Sequence, residues 1–387
     1  MPNTSSFMVG CDPTTEQRVA ALIGDKPARF FALAQRIAWG TSQPDLVRVD
    51  VRATVARLHA LHPRLFVTHL LAAFATRVSD PAQADASLVL ARSLCDDEHP
   101  WRYLLPTDDE WSGKRSVERV SEVIADQVWR QRADRQVPGT PFYVASHATI
   151  VRTHGRELAI VNPVASSEAS LAALHALGEV TTLVLQGRTN AGELARLRAA
   201  FPGARVVGTL AHLRHPASAE ISFDGLIGTD SAELPRVFDA LPVDAGLADE
   251  VMLLHRPTAL LITHDLVASN RADDASRSFA GRLEDFAFGV DDRLGVPSFQ
   301  PLLWNDLRAL QLGLARVLAT PFERVTGAHW PLALGADGLR DAYAAVLEHL
   351  CGLTRAQHAA MRLSYLWHQP AFLRDMLRNE RRAKQAA

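Results

Sequence analysis

The stretch Glu250-Val-Met-Leu-Leu-His-Arg-Pro-Thr-Ala-Leu-Leu-Ile-Thr-His-Asp265 constrains the fold more than any other part of the chain. It holds two short apolar runs, Val251–Leu254 and Ala259–Ile262, separated by His255-Arg-Pro-Thr258. Runs of this length between turn signals read as two buried strands joined by a tight turn. Pro257 suits the turn because its ring pre-sets φ. The second strand ends on His264-Asp265, which places two titratable groups at a strand's C-terminal end. Sites of layered α/β proteins form at that edge.

The rest of the chain is long enough to surround such a pair. With 387 residues, it has room for two domains at roughly 100–200 residues each. It is 48% apolar and 22% charged, as expected of a globular protein with a sizeable core. The formal net charge of −2 gives no general attraction to nucleic acid or to anionic membranes. No apolar run approaches the roughly 20 residues that span a bilayer. Residues 1–10 lack the basic and apolar segments of a secretory signal. Cys11, Cys95 and Cys351 are too far apart for a disulfide framework or a zinc knuckle. These features predict a cytoplasmic protein without nucleic-acid or membrane partners; a homo-oligomer is compatible with them.

Periodicity divides the chain. Asp12-Pro13 offers an N-cap followed by proline at a first helical position. Apolar residues then recur at helical spacing through Phe30, Leu33 and Ile37, through Val55 and Leu58, and through Phe66, Leu70, Phe74 and Val78. Val117, Val120, Ile124 and Val128 predict a further helix from about Ser116 to Arg130. Residues 1–138 therefore read as an α-helical domain. Gln136-Val-Pro-Gly-Thr-Pro141 is the strongest boundary signal.

After that boundary the pattern changes to strand and helix. Ala148–Arg152 and Leu158–Val161 read as strands around a His154-Gly155 turn. Ser167–Leu177 reads as a helix stopped by Gly178, Thr182–Leu185 as a buried strand, Ala191–Phe201 as a helix, and Arg205–Gly208 as a strand. This alternation predicts an α/β layered domain over 139–350. Residues 209–249 are irregular, and 271–300 read as charged loop. Helices are expected over Leu302–Leu318 and Leu339–Leu350, with a short strand entering Val325-Thr-Gly-Ala-His-Trp330. A helical extension covers 351–387. Its basic end, Arg374 to Lys384, suits a helix C-terminus and lacks the broad basic face of a nucleic-acid reader.

Taken together, residues 142–348 resemble the metallo-β-lactamase superfamily. Val180–Gly208, with Phe201-Pro-Gly-Ala204, is similar to its strand, site loop, helix and strand unit. Leu260–Leu266 resembles the strand that delivers its metal-bridging aspartate, and Thr326-Gly-Ala-His329 the loop with its last metal-binding histidine. The resemblance implies an αββα sandwich, here preceded by the helical domain. It also implies Asp265 and His329 as catalytic and metal-binding residues.

The departure is equally specific. Where the superfamily carries His-x-His-x-Asp-His, this chain has Gln186-Gly-Arg-Thr-Asn-Ala191. Zinc needs three or four nitrogen, sulfur or carboxylate ligands, so His255, His264 or His212 would have to complete a rebuilt site for one divalent metal (zinc, iron or manganese). On a regular strand His264 and Asp265 face opposite sides. Arg256, Asn190 and Gln186 are the expected substrate-binding groups, Arg256 because its guanidinium suits an acidic partner. Two functions follow from the resemblance. One is a hydrolase-like protein with a degenerate or rebuilt metal site, acting on an ester, amide or lactone-like bond of a small-molecule substrate. The other is a binding or scaffold protein that keeps the fold without the metal. His59, His62, His69 and the Cys95-Asp-Asp-Glu-His99 cluster read as structural, because no Glu-x-x-His pair accompanies them.

Overall fold

The computed structural model describes residues 27–42, 50–97, 99, 101–113, 119–137, 140–164, 166–187, 194–209, 212, 221–227, 233–244, 250–269, 278–287, 294–297, 300–328 and 338–368. The Asp12-Pro13 cap and the basic end beyond 368 lie outside them.

The N-terminal part is helical, as its periodicity predicts: α1 (Pro27–Ser42), α2 (Val51–Leu61), α3 (Phe66–Thr76), α4 (Pro81–Leu94) and a single turn, α5 (Asp108–Trp111). The starts are written in the sequence. Asp50 accepts the Ala53 N–H at 2.9 Å and Asp80 accepts the Gln83 N–H at 3.0 Å, with Pro81 at the first position of α4. In α3 every residue from Phe66 to Phe74 is buried, so this helix is the centre of the bundle.

Two sheets follow. The first has seven strands in chain order: β1 (Arg119–Ile124), β2 (Val128–Gln136), β3 (Tyr143–His154), β4 (Glu157–Val161), β5 (Glu179–Val184), β6 (Arg205–Gly208) and β7 (Gly225–Leu226). The β1–β4 pairings are antiparallel and the β4–β7 pairings parallel. Helices α6 (Glu168–Leu177) and α7 (Leu194–Ala200) cover one face. The second sheet contains β8 (Phe238–Val243), β9 (Glu250–His255), β10 (Leu260–Thr263) and β13 (Arg324–Gly327), in the order β13-β10-β9-β8. A small ribbon, β11 (Ala268–Ser269) with β12 (Leu294–Gly295), lies between its segments in sequence.

The opening stretch forms as its pattern predicts. β9 and β10 are antiparallel neighbours around a 3-10 turn at Arg256–Thr258, and Ala259 adopts φ 49° to close it. Strand alternation sorts the side chains into layers. Ala159 and Val161 meet Val251, Leu253, Leu260 and Ile262 between the sheets. Leu158 and Ile160 face the α6/α7 side. Met252, Leu254 and Leu261 face α10 (Leu307–Leu318) and α11 (Leu339–Cys351). The layers are helix, sheet, sheet, helix.

The expected helix at 116–130 is instead the β1–β2 hairpin. Val120, Ile124 and Val128 fit a four-residue period, but β2 pairs with β3 along its full length. That long-range ladder outweighs a local period. Asp126 makes the turn at φ 55°, and its N–H donates to Glu122 Oε1 at 2.8 Å. The sheet therefore begins at Arg119, not after 138. The proline-rich 137–142 segment connects two neighbouring strands, Val137 N–H donating to the Phe142 carbonyl at 2.9 Å.

A second correction concerns 271–300, which contains α8 (Phe279–Ala287). Phe279, Leu283 and Phe286 enter the core of the N-terminal helices beside Phe30 and Phe74. Arg282 donates to the Tyr103 carbonyl at 2.9 Å and bridges both Glu110 carboxylate oxygens at 2.9 and 3.0 Å. Burial alone would raise the Glu110 carboxyl; Arg282 outweighs it and lowers it. The helical bundle thus closes with a helix contributed from the sandwich half. The 209–249 region likewise supplies the edge strands β7 and β8. Beyond α9 (Gln300–Leu303), α12 (Arg355–His368) packs back on the sandwich, its His358 Nε2 3.1 Å from the Pro301 carbonyl. Among the described residues no helix is long and apolar enough to cross a membrane.

Candidate functional site

Asp265 follows β10 at the end of the sandwich where β5, β10 and β13 finish and β9 begins. Its surroundings are set by Glu250, the first residue of β9. The Glu250 carboxylate accepts three consecutive backbone N–H groups: His264 at 2.6 Å, Asp265 at 3.0 Å and Leu266 at 2.8 Å. This grip turns the chain out of the strand after Thr263. Strict alternation therefore stops there, and the expectation that His264 and Asp265 face apart fails. His264 Nδ1 lies 3.2 Å from Asp265 Oδ2. The imidazole is 2% exposed and the Asp265 side chain 33%. The Asp265 carbonyl accepts Gln300 Nε2 at 2.9 Å.

Charges here are coupled. Burial would lower the His264 pKa, but Asp265 and Glu250 outweigh it and raise it. Burial pushes the Glu250 carboxyl above its ordinary range, against the pull of His264 and of the backbone donors. Burial and Glu250 both push Tyr343 upward, keeping its hydroxyl protonated. That hydroxyl lies 3.6 Å from Met252 Sδ.

Gln186, at the exit of β5, has 0% exposure. Its Nε2 donates to the Val251 and Ile262 carbonyls, both at 2.8 Å, and its Oε1 accepts Asn162 Nδ2 at 2.6 Å. It joins the two sheets, so the expected substrate contact is replaced by a structural tie. Gly187 packs against His264; a Cβ there would lie 2.6 Å from Nδ1.

The other candidates are dispersed. His255 ends β9 at the opposite end of the sheet, about 16 Å from Glu250 at strand spacing. It is buried, Nδ1 2.7 Å from Thr258 Oγ1, and burial lowers its pKa to about 4. It cannot join Asp265 around one ion. Arg256 shares that far end, held by the Arg236 carbonyl and 3.7 Å from Asp239. His212 is buried beyond β6 with Nδ1 3.1 Å from the Thr209 N–H nitrogen. His329 and Asn190 lie outside the described residues. The neighbouring Ala328 carbonyl accepts the His147 N–H from β3 at 2.9 Å, which ties the first sheet to the end of β13.

Glu250 and Asn162 were the residues the sequence left unread. A signal existed for Glu250, since a carboxylate heading a wholly apolar strand must find partners when buried. Asn162 carried none; its role depends on Gln186, 24 residues away.

No family model matches the chain, and no curated protein matches it. Solved structures resemble it in part. A metallo-β-lactamase from Pontibacter korlensis is 18% identical, with 60% of this chain and 99% of that one covered at a TM-score of 0.40. The mono-zinc form of the metallo-β-lactamase FIM-1 from Pseudomonas aeruginosa is 15% identical, with 62% and 100% covered at 0.41. The Flv1 flavodiiron core from Synechocystis is 16% identical, with 61% and 62% covered at 0.41. The layer order and strand topology described above are what define the fold. It is an αββα sandwich.

The resemblance read from the sequence implies a metal, and the donor set tests that implication. Among the described residues, no group of three or more His, Cys, Asp or Glu side chains is placed to hold an ion. The chemistry explains this. Glu250 is bonded to three amides, His264 Nδ1 faces Asp265, Gln186 ties the sheets, and His255 is at the far end. The described residues do not fit a zinc-type centre, which needs at least three converging ligands.

Proposed function

We propose that this protein is a binding or scaffold protein built on a metallo-β-lactamase-like sandwich, with its former site end used for internal hydrogen bonding. The observation that carries this reading is the Glu250 carboxylate, which holds the 264–266 backbone through three N–H groups. A carboxylate so occupied, beside an imidazole paired with Asp265, supports a locked loop more than an open coordination sphere. The helical bundle, joined through α8 and Arg282, then provides a second surface for contacts.

The hydrolase reading rests on Asp265, whose carboxylate keeps a third of its exposure. One experiment separates the two. Purified full-length protein is assayed for zinc, iron and manganese, and for turnover of ester, amide and lactone substrates with and without a chelator. The binding reading expects trace metal, no chelator-sensitive turnover, and a folded Asp265→Ala, His329→Ala double variant that still complements a deletion strain. Stoichiometric metal with chelator-sensitive hydrolysis would overturn it.

A further inference from the structure

A cleft lies at the other end of the sandwich from Asp265. Its volume is about 630 Å³, within the range of small-molecule sites, roughly 300–1,000 Å³. Five pieces of chain build it: the β3–β4 turn with Thr153, His154 and Glu157; β5 at Thr182; the start of β6 at Arg205; the 233–237 segment before β8; and the 3-10 turn with Arg256 and Pro257. Leu234 belongs to the apolar layer between the sheets, and Val237 packs against that layer. With Pro235 and Pro257, they give the cleft an apolar side.

The charges in the wall are not equivalent. Arg205 is paired with Glu233 at 2.5 Å. Arg256 is fixed by the Arg236 carbonyl and by Asp239. The Arg256 N–H also donates to the Val237 carbonyl at 3.0 Å, so the 3-10 turn is stitched to the 236–237 backbone. Arg236 itself is exposed, and its guanidinium has no hydrogen bond or ion pair among the described residues. Thr153, also in the lining, has its Oγ1 buried without a hydrogen-bond partner. One unpaired guanidinium on a rigid backbone, above an apolar wall, matches one planar carboxylate on a hydrocarbon body.

We propose that this cleft binds a small apolar carboxylic acid, its carboxylate on Arg236 and its hydrocarbon part against Leu234, Pro235, Val237 and Pro257. Arg256 orients the Arg236 backbone. The site lies at the other end of the sheets from Asp265, so it does not depend on the function proposed for that end.

The test uses the full chain, with hexanoate and benzoate as probes and hexan-1-ol and inorganic phosphate as controls. Binding is followed by saturation-transfer NMR and by amide shifts. The carboxylates are expected to bind at millimolar concentration and to shift the amides of 234–237 and 256–257. Arg236→Ala should weaken them by about tenfold, the size of one charge-assisted contact, and Arg236→Glu should abolish binding. Asp265→Ala should leave it unchanged. Arg236 is exposed, so its variants retain the fold, and a thermal melt verifies this. Carboxylates that do not bind, that bind equally to Arg236→Glu, or that bind no better than hexan-1-ol overturn the proposal. Phosphate binding as well as hexanoate does would replace the apolar acid with a general oxyanion and overturn the assigned ligand class.

Discussion

Gly187 touches the imidazole of His264 so closely that a Cβ at 187 would lie 2.6 Å from Nδ1 and 3.0 Å from Cε1. The ring cannot retreat, because it is buried and faces Asp265 at 3.2 Å. Gly187→Ala should therefore displace His264 and destabilise the protein by about 1–3 kcal/mol, as overpacking of a closed site does. The raised His264 pKa should fall at the same time. For a base with a raised folded value, the stability it adds is complete below the ordinary 6.5 and is lost as pH rises through the folded value. The variant should lose that alkaline-side decline. Histidine NMR titration and urea denaturation at several pH values measure both effects.

Glu250 holds the loop that carries His264 and Asp265. Replacing it with alanine leaves two buried N–H groups and the half-buried one of Asp265 without their acceptor. A loss on the order of 3 kcal/mol or more is expected, taking about 1–3 kcal/mol for each unsatisfied buried group and allowing for relaxation. Hydrogen exchange should accelerate at the amides of 264–266 before it does in β9. Uniform acceleration across the sheet, with no local excess, would rule out the clamp.

Gln186 is tested by shape-conserving changes. Gln186→Leu removes both donations to the Val251 and Ile262 carbonyls and strands Asn162 Nδ2. The expected destabilisation is about 2–4 kcal/mol. Adding Asn162→Leu should recover part of it, because the pair then leaves fewer polar groups without partners. Strict additivity in the double-mutant cycle would show that the two side chains act separately.

His255 gives the acid side of the stability profile. Its folded pKa is lowered by burial from 6.5 to about 4. The unfolded chain takes up its proton first, so the stability His255 contributes is present above 6.5 and is lost as pH falls from 6.5 toward 4. Up to about 3 kcal/mol is involved, at 1.36 kcal/mol per pKa unit. Burial shifts His59, His62, His99 and His358 in the same direction. His255→Gln should flatten this decline in denaturation midpoints between pH 7 and 4 without removing it.

Much of the architecture is local and was therefore legible. The β9–β10 pair, helix α6 with its Gly178 stop, and the β5-α7-β6 unit follow from apolar runs and turn residues adjacent in sequence. The hairpin at 119–136 is not legible, because its pairing with β3 is a long-range interaction, while the four-residue spacing of Val120, Ile124 and Val128 is a local one.

The sequence by itself determined most strands and helices of the sandwich and placed His264-Asp265 at a strand's end, because burial periodicity and turn chemistry act over a few residues. Only the tertiary structure decided what surrounds that end. Glu250 grips it from 14–16 residues away, Gln186 reaches Val251 and Ile262 from 65 and 76 away, and His255 is carried to the far end of the same sheet. These are partner choices made by buried polar groups, which must be satisfied wherever the packed strands bring a donor or acceptor within reach. No local pattern of residues encodes which partner that will be.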